Sequence, residues 1–310
     1  MQIFSKQPNF DFLGNFRIAV FFSILLIVGS FYVWFERGDQ KYGVDYSGGT
    51  EVVVKFSGST SSSDIRKALS ASAENFGSVV VQAFEATSNE YSIRVGQSEK
   101  SAEVRRHIEE ALKKQISVDF EVLKTDYVGP TIGKELRKKA LIAVIVGLLG
   151  ILVYISIRFE FAFALGAVVA LFHDVIVCTG LYLMTGREIS ASTLAAALTI
   201  VGYSVNDTII IFDRCREEIL KTQKYDLVAI MNKSVNSTLS RTIITSLLTF
   251  FSALTLLLFG GGAIADLSLY LVIGIVAGTY STIFIASPVV VVWEKYMIAK
   301  KKKVHGTVKA

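Results

Sequence analysis

Six apolar stretches punctuate the chain: Phe16–Phe35, Ala140–Ile157, Phe161–Met184, Thr193–Phe212, Thr242–Phe259 and Leu267–Trp293. Each approaches the roughly 20 residues that a helix needs to cross the hydrocarbon core of a bilayer, so the pattern predicts six transmembrane helices. Between the first and second, residues 36–139 have the composition of a soluble domain of about 100 residues, the usual size for one independent core. In Thr50–Phe56, Val52, Val54 and Phe56 alternate onto one face, which predicts a strand. Asp64–Phe76 places Ile65, Leu69 and Phe76 at helical spacing behind a serine run that can cap it. Val79–Phe84 and Tyr91–Val95 read as strands. Ser101–Gln115 reads as a helix with Val104, Ile108 and Leu112 on its buried stripe, and Phe120–Tyr127 as a last strand. The order βαββαβ predicts an α+β, ferredoxin-like sandwich of two helices on a four-stranded sheet.

Composition agrees with an α-helical polytopic membrane protein. Of 310 residues 52% are hydrophobic and 19% charged, and the mean hydropathy is +0.49, which is too apolar for a soluble globular chain. The net charge of +5 does not point to nucleic acid, because the lysines and arginines sit at the edges of apolar segments, where they set orientation. Loop 213–241 carries six Lys/Arg and the tail 294–310 another six, whereas Thr185–Ser190 carries only Arg187 and Gly260–Asp266 none. Both termini are therefore expected in the cytoplasm: residues 1–15 as a short inside segment, 16–35 as an uncleaved signal anchor, 140–293 as the remaining five-helix bundle and 294–310 as a basic tail. Domain 36–139 then lies outside the cytoplasm. In loop 213–241, Leu227, Ile230, Met231, Val235 and Leu239 recur at helical spacing, which suits either an amphipathic helix along the inner leaflet or a connector packed on the bundle. Cys178 and Cys215 fall outside the exported portion, so no disulfide is expected.

No nucleotide-hydrolysis signature is present. Gly129–Lys134 (GPTIGK) is one residue short of a phosphate loop, and Glu135 stands where a metal-binding Ser or Thr belongs. Gly48 and Gly49 precede a strand and mark a turn or bulge. No cofactor, metal or enzymatic activity is expected, so any work must draw on another energy source. Candidate chemistry lies in the charges within the apolar spans, since a carboxylate there costs about 2.5 to 3.5 kcal/mol on insertion scales. Asp207, beside Asn206, suits a proton carrier whose state changes as an arginine approaches; its structural alternative is a carboxylate bonded to Ser or Thr hydroxyls. Counted from the inner boundary, Arg241, Asp207 and the His173–Asp174 pair lie at depths of about 0, 9 and 19 Å, a ladder rather than a cluster. Asp174 is a candidate for the proton relay, whereas His173 reads as a core histidine and Arg241, by position alone, as topological. Thr242, Thr245, Ser246, Thr249 and Ser252 line one stripe of the fifth span, and Thr199, Tyr203 and Asn206 one stripe of the fourth. Gly274 and Gly278 form a small-xxx-small step for close helix packing.

The chain resembles the SecF family, the smaller subunit of the SecD/SecF accessory complex of bacterial protein export, within the resistance-nodulation-division superfamily. The resemblance rests on VDYSGGT (Val44–Thr50), VGPTIGKEL (Val128–Leu136), LFHDV (Leu171–Val175), VGYSVNDTIIIFDRCRE (Val201–Glu217), SRTIITS (Ser240–Ser246) and YSTIFIASP (Tyr280–Pro288), in order over nearly the whole chain. It implies a bacterial inner-membrane protein that works with SecD, using the proton gradient to help pull or release secreted chains on the outer side. The implied partners are SecD, the SecYEG channel, YajC and the unfolded chain in transit. Position by position, Asp207 matches the family's membrane carboxylate and Arg241 its functionally important arginine, while another carboxylate of the relay belongs to SecD. Two rivals use the same residues. A self-contained proton-driven exporter of lipids or drugs calls for a larger external domain, and an intramembrane aspartyl protease needs Asp174 and Asp207 about 3 Å apart sharing a proton.

Overall fold

The computed structural model describes residues 8–72, 79–83, 89–96, 101–222 and 226–307. Phe76 and Phe84, named above, lie outside them.

Among the described residues, six helices are long and apolar enough to cross a membrane. They are α1 (Phe16–Glu36), α5 (Pro130–Arg158), α6 (Phe161–Met184), α7 (Ala191–Lys221), α8 (Leu227–Phe259) and the run from α9 (Gly262–Ser281) into α10 (Ser287–Thr307). In the last of these the α-helical ladder widens over Thr282–Ala286 into a π-helical segment. Local chemistry sets the ends. Pro130 opens α5, where its missing N–H costs nothing. Ser190 and Thr193 close a capping box on α7, and Asp226 accepts from the N–H groups of Val228 and Ala229 at the start of α8.

Between α1 and α5 a short helix α2 (Val44–Ser47) leads into β1 (Gly49–Phe56), followed by α3 (Ser62–Ser70), β2 (Val79–Ala83), β3 (Glu90–Val95), α4 (Ser101–Gln115) and β4 (Phe120–Val128). The four strands form one antiparallel sheet in the order β2-β3-β1-β4, with a bulge in β1 at Val53/Val54. Ile65 and Leu69 of α3 and Ile108 and Leu112 of α4 pack on Val52, Val54, Phe56 and Ile93. Ser61 caps α3 by accepting from Asp64 N–H at 3.1 Å. Gly48 and Gly49 take positive φ values of 76° and 127°, and a Cβ on Gly49 would stand 2.5 Å from the Val95 carbonyl oxygen, so the pair makes the turn that lets β1 pair closely with β3.

The other sheet face, with Glu51, Ser92 and Arg94, looks toward the bundle. Arg94 forms a buried ion pair with Glu188 in the α6–α7 loop and donates to Gln82 Oε1 at 2.9 Å; burial holds its guanidinium below the ordinary arginine value. Gly43 N–H donates to the Ile189 carbonyl and Ile189 N–H to that of Lys41, Ala191 N–H donates to Asp45, and Arg187 pairs with Asp266. A cleft of about 660 Å³ remains between sheet and bundle, lined by Glu51, Arg94, Lys124, Glu188, Phe259 and Asp266 among others.

At the opposite end, loop 213–241 is mostly helix. α7 continues to Lys221 and α8 starts at Leu227, in register with the fifth span. Leu227, Ile230, Met231, Val235 and Leu239 are buried in the same core as Leu13, Cys215 and Val290, so this stretch packs on the bundle by its apolar stripe. Asn232 and Asn236 hold an N-terminal strap over it. Asn236 Oδ1 accepts from Phe10 N–H at 2.8 Å and Asn232 Oδ1 from Phe12 N–H at 2.9 Å, while both side-chain amides donate to the Phe10 carbonyl. Asn236→Ala removes two of these bonds and is expected to cost about 1 to 3 kcal/mol locally, read as faster proteolysis ahead of Phe16 with the thermal midpoint of the bundle nearly unchanged. Protection equal to the parent's would show that the strap is held otherwise.

Candidate functional site

Asp174 and Asp207 occupy neighbouring levels of the bundle in opposite surroundings. Asp174, on α6, is fully buried. Its Oδ2 accepts from Ser204 Oγ of α7 at 2.6 Å and from Ser281 Oγ of α9 at 2.8 Å, and its Oδ1 lies 3.1 Å from His173 Nδ1. The side chain thus ties three helices together. With Nδ1 donating, His173 keeps its Nε2 as acceptor; that atom is buried and has no hydrogen-bond partner among the described residues. The imidazole packs 6.0 Å from the Tyr280 ring, whose hydroxyl donates to the Ala19 carbonyl of α1 at 2.6 Å.

Asp207 is 3% exposed, yet no described residue donates a hydrogen bond to its carboxylate. The charged group whose field acts on it is Arg241 of α8. Arg241 itself is exposed on the side of the bundle, as is Asn206. Asp207 therefore sits just inside a polar surface and Asp174 deep within. Because Asp174 is level with Ser204, three residues before Asp207, the two carboxylates are about 4.5 Å apart along α7. The count from helix boundaries gives a wider step of about 10 Å, which the Ser204–Asp174 hydrogen bond replaces with this shorter one. Asp174 and Asp207 share no hydrogen bond, and both Asp174 oxygens are already engaged, which is unlike the proton-sharing dyad of an aspartyl protease.

The hydroxyl stripe of α8 divides. Thr242 and Ser246 turn inward, Ser246 meeting Thr279 at 2.8 Å and Tyr203 at 3.4 Å. Thr245, Thr249 and Ser252 each donate to the carbonyl four residues before, at 3.0, 2.9 and 2.9 Å, and Thr249 and Ser252 are exposed, as is Thr199 on α7. On α9, the two glycines admit α7 closely. A Cβ on Gly274 would stand 2.7 Å from Ile200 Cδ1, and one on Gly278 3.1 Å from Ser204 Cβ and 3.7 Å from Asp174 Oδ2. One turn beyond, Thr208 Oγ1 and Thr282 Oγ1 lie 3.1 Å apart where the π-segment begins.

Ser204 and Ser281 are the partners that pattern reading did not single out for Asp174. Ser204 precedes Asp207 by three residues and Ser281 follows Gly278 by three, so helical spacing from residues already marked could have found both. At the C-terminal end of α7, buried Glu218 meets Arg214 at 3.0 Å and Lys233 at 2.5 Å, joining α7 to α8. No group of three His, Cys, Asp or Glu residues able to hold a metal is found among the described residues, and both cysteines are free and buried.

Six apolar helices and carboxylates enclosed between them define a multi-pass integral membrane protein. Residues 107–296 match the model of the protein export membrane protein SecD/SecF, C-terminal family. The chain is 40% identical over 98% of its length, and 98% of the relative's, to the protein translocase subunit SecF of Calditerrivibrio nitroreducens, and 39% identical over 96% of each to that of Rickettsia typhi. It superposes on the crystal structure of SecDF, a translocon-associated membrane protein from Thermus thermophilus, with a TM-score of 0.85 and 34% identity, covering 94% of this chain and 40% of that longer one. A super-membrane-facing form of SecDF gives a TM-score of 0.69 at 34% identity, covering 99% of this chain and 41% of that one. The chain belongs to the SecD/SecF family of protein-export membrane proteins, on its SecF branch. The relatives carry the name of translocase subunits, which favours protein export over the export of lipids or drugs.

Proposed function

We propose that the chain is a subunit of a membrane complex that, with SecD, uses the proton-motive force to assist protein translocation through the Sec channel on the outer side of the membrane. The observation that carries the reading is Asp207: a buried carboxylate with no hydrogen-bond donor among the described residues, in the field of Arg241, one layer behind an exposed polar surface. Such a group gains or loses a proton without breaking a fixed bond, and its burial makes each state favour a different environment. Arg241 answers the charge when Asp207 is ionised and is released when it is neutral.

In this reading Asn206, Arg241, Thr249 and Ser252 face SecD, whose own carboxylate completes the relay. Superposition on 40% of a longer SecDF chain supports such an arrangement, in which the remaining length supplies the second half. The βαββαβ unit is a ferredoxin-like domain on the extracytoplasmic side, both termini are cytoplasmic, and the protein resides in the bacterial inner membrane. SecYEG, YajC and the chain in transit are its further partners. The ion pair between Arg94 of the sheet and Glu188 of the α6–α7 loop is the route by which motion in the bundle reaches the external domain.

Asp207→Asn keeps size and removes the titration. Gradient-dependent secretion is expected to fall about tenfold or more, with membrane level and SecD association unchanged. Undiminished secretion at equal protein level rules the reading out.

A further inference from the structure

We propose that Asp174 is a positioning residue for proton-driven export: its carboxylate, through Ser204 and Ser281, fixes the turn of α7 that carries Asp207 against the end of α9, where the irregular turn begins. The inference rests on the reading of Asp207 as the proton carrier.

Three observations support it. First, a proton on Asp174 Oδ2 has to displace one of two hydroxyl donors, from Ser204 and Ser281, and a proton on Oδ1 forces His173 into its other tautomer. Asp207 has no such donor to displace among the described residues. Asp174 is thus equipped to hold helices, and Asp207 to change state. Second, the hydroxyls come from two different helices and meet on one oxygen, while Gly278 permits the approach by leaving room beside Ser204. Third, the contact sits where geometry can move. Ser281 and Thr282 lead into the π-helical Thr282–Ala286, Thr282 is bonded to Thr208, and Ser287 Oγ donates to the Thr282 carbonyl at 3.1 Å. A π-segment holds one extra residue per turn and occurs often at functional positions. Ser204 and Thr208 flank Asp207 on the α7 face toward α9, so a rotation of α7 as Asp207 changes charge is delivered to this segment.

The titratable and charged groups around the layer are His173 and Cys178 from α6, Asp207 from α7, Arg241 from α8, and Tyr270 and Tyr280 from α9.

The test uses membranes holding the full chain with SecD and reads gradient-driven secretion at equal protein level, together with its external-pH profile. Asp174→Asn retains an oxygen that accepts both serine hydroxyls, and His173 adapts by tautomer, so this variant is expected to keep at least half of the parent's gradient-driven secretion and its profile. Asp174→Ala and the double variant Ser204→Ala/Ser281→Ala lose the clamp, and are expected to lose about tenfold with a displaced pH profile. Gly278→Ala, which keeps every donor but crowds Ser204 with a Cβ 3.1 Å from its own, is expected to displace the profile in the same direction, and serves if the alanine variants fail to accumulate. Asp174→Asn as inactive as Asp207→Asn makes Asp174 a proton carrier and overturns the proposal. So does full activity in the double variant, or a loss that merely follows protein level with the profile unmoved. Gradient-driven secretion retained by Asp207→Asn overturns the carrier reading itself and the inference with it, a result distinct from failure at Asp174 alone.

Discussion

Gly180→Ala is expected to remove most of the folded protein from the membrane. At Gly180 α6 approaches the backbone of α1 so closely that an added Cβ would stand 2.5 Å from the Ser30 Cα. The obstacle is backbone, so no side-chain rotation relieves it and α1 must be driven outward. Overpacking typically costs about 1 to 3 kcal/mol and occasionally more, and losses of about 1 to 2 kcal/mol already change cellular abundance several-fold. Ser30→Gly in the same chain is expected to restore only part of the level, because the Cα remains. Gly29→Ala, where the new methyl meets only Met184 Cε at 3.9 Å, is expected to leave the level unchanged. Quantitative immunoblots of membranes distinguish the three, and a normal level for Gly180→Ala would show that the helices do not approach so closely.

Arg94→Ala is expected to cost about 3 to 5 kcal/mol, the usual consequence of leaving a buried charge without its partner. Side-chain exposure at the Arg94–Glu188 pair is only 10% and 6%, so water cannot take over the role of the lost guanidinium. The pair itself is not a large net gain, since burial penalises both charges. Replacing both residues by apolar ones, Arg94→Met with Glu188→Leu, is therefore expected to recover most of the loss. Thermal unfolding in detergent of the parent, Arg94→Met, Glu188→Leu and the double variant closes the cycle. A double variant no more stable than Arg94→Ala would mean that the charges are needed for more than each other. Gradient-driven secretion by the double variant tests the coupling route separately from stability.

Much of the architecture was legible because two periodicities are strong here. The six apolar runs are long and nearly uncharged, and each corresponds to a long helix. In β1 and β3 the alternation of Val52, Val54 and Ile93 with Glu51 and Ser92 set both the strands and the face that meets α3 and α4. What alternation cannot tell is whether a polar face meets solvent or another layer. Arg94 and Glu188 were passed over for that reason, one on the outward face of a strand and the other in a short polar loop. The beginning of α5 was hidden similarly: residues 130–139 are too polar for lipid, yet they form the first turns of a helix opened by Pro130.

At the candidate site, Asp207 and Asp174 stood out by residue type and depth. Their different surroundings did not, because the choice between a bonded and an unbonded carboxylate lies in how α7 is rotated against α9. The hydroxyl stripe on α8 was visible by spacing, but its division into inward and outward members depends on where α9 packs. Ser246 meets Thr279, whereas Ser252, less than two turns further on, finds no neighbouring helix and bonds its own backbone.

The unbroken course of α8 has a mechanical consequence. At 1.5 Å per residue its 33 residues reach about 50 Å, well beyond the roughly 30 Å of hydrocarbon. It is a single stiff rod gripped near one tip by the amino-terminal strap and ending at the other in the glycine corner beside the four-stranded sheet. A tilt begun at Arg241, part-way along, swings both tips at once and in opposite senses, so the two sides of the membrane feel one event as a seesaw does, with no relay of separate parts between them.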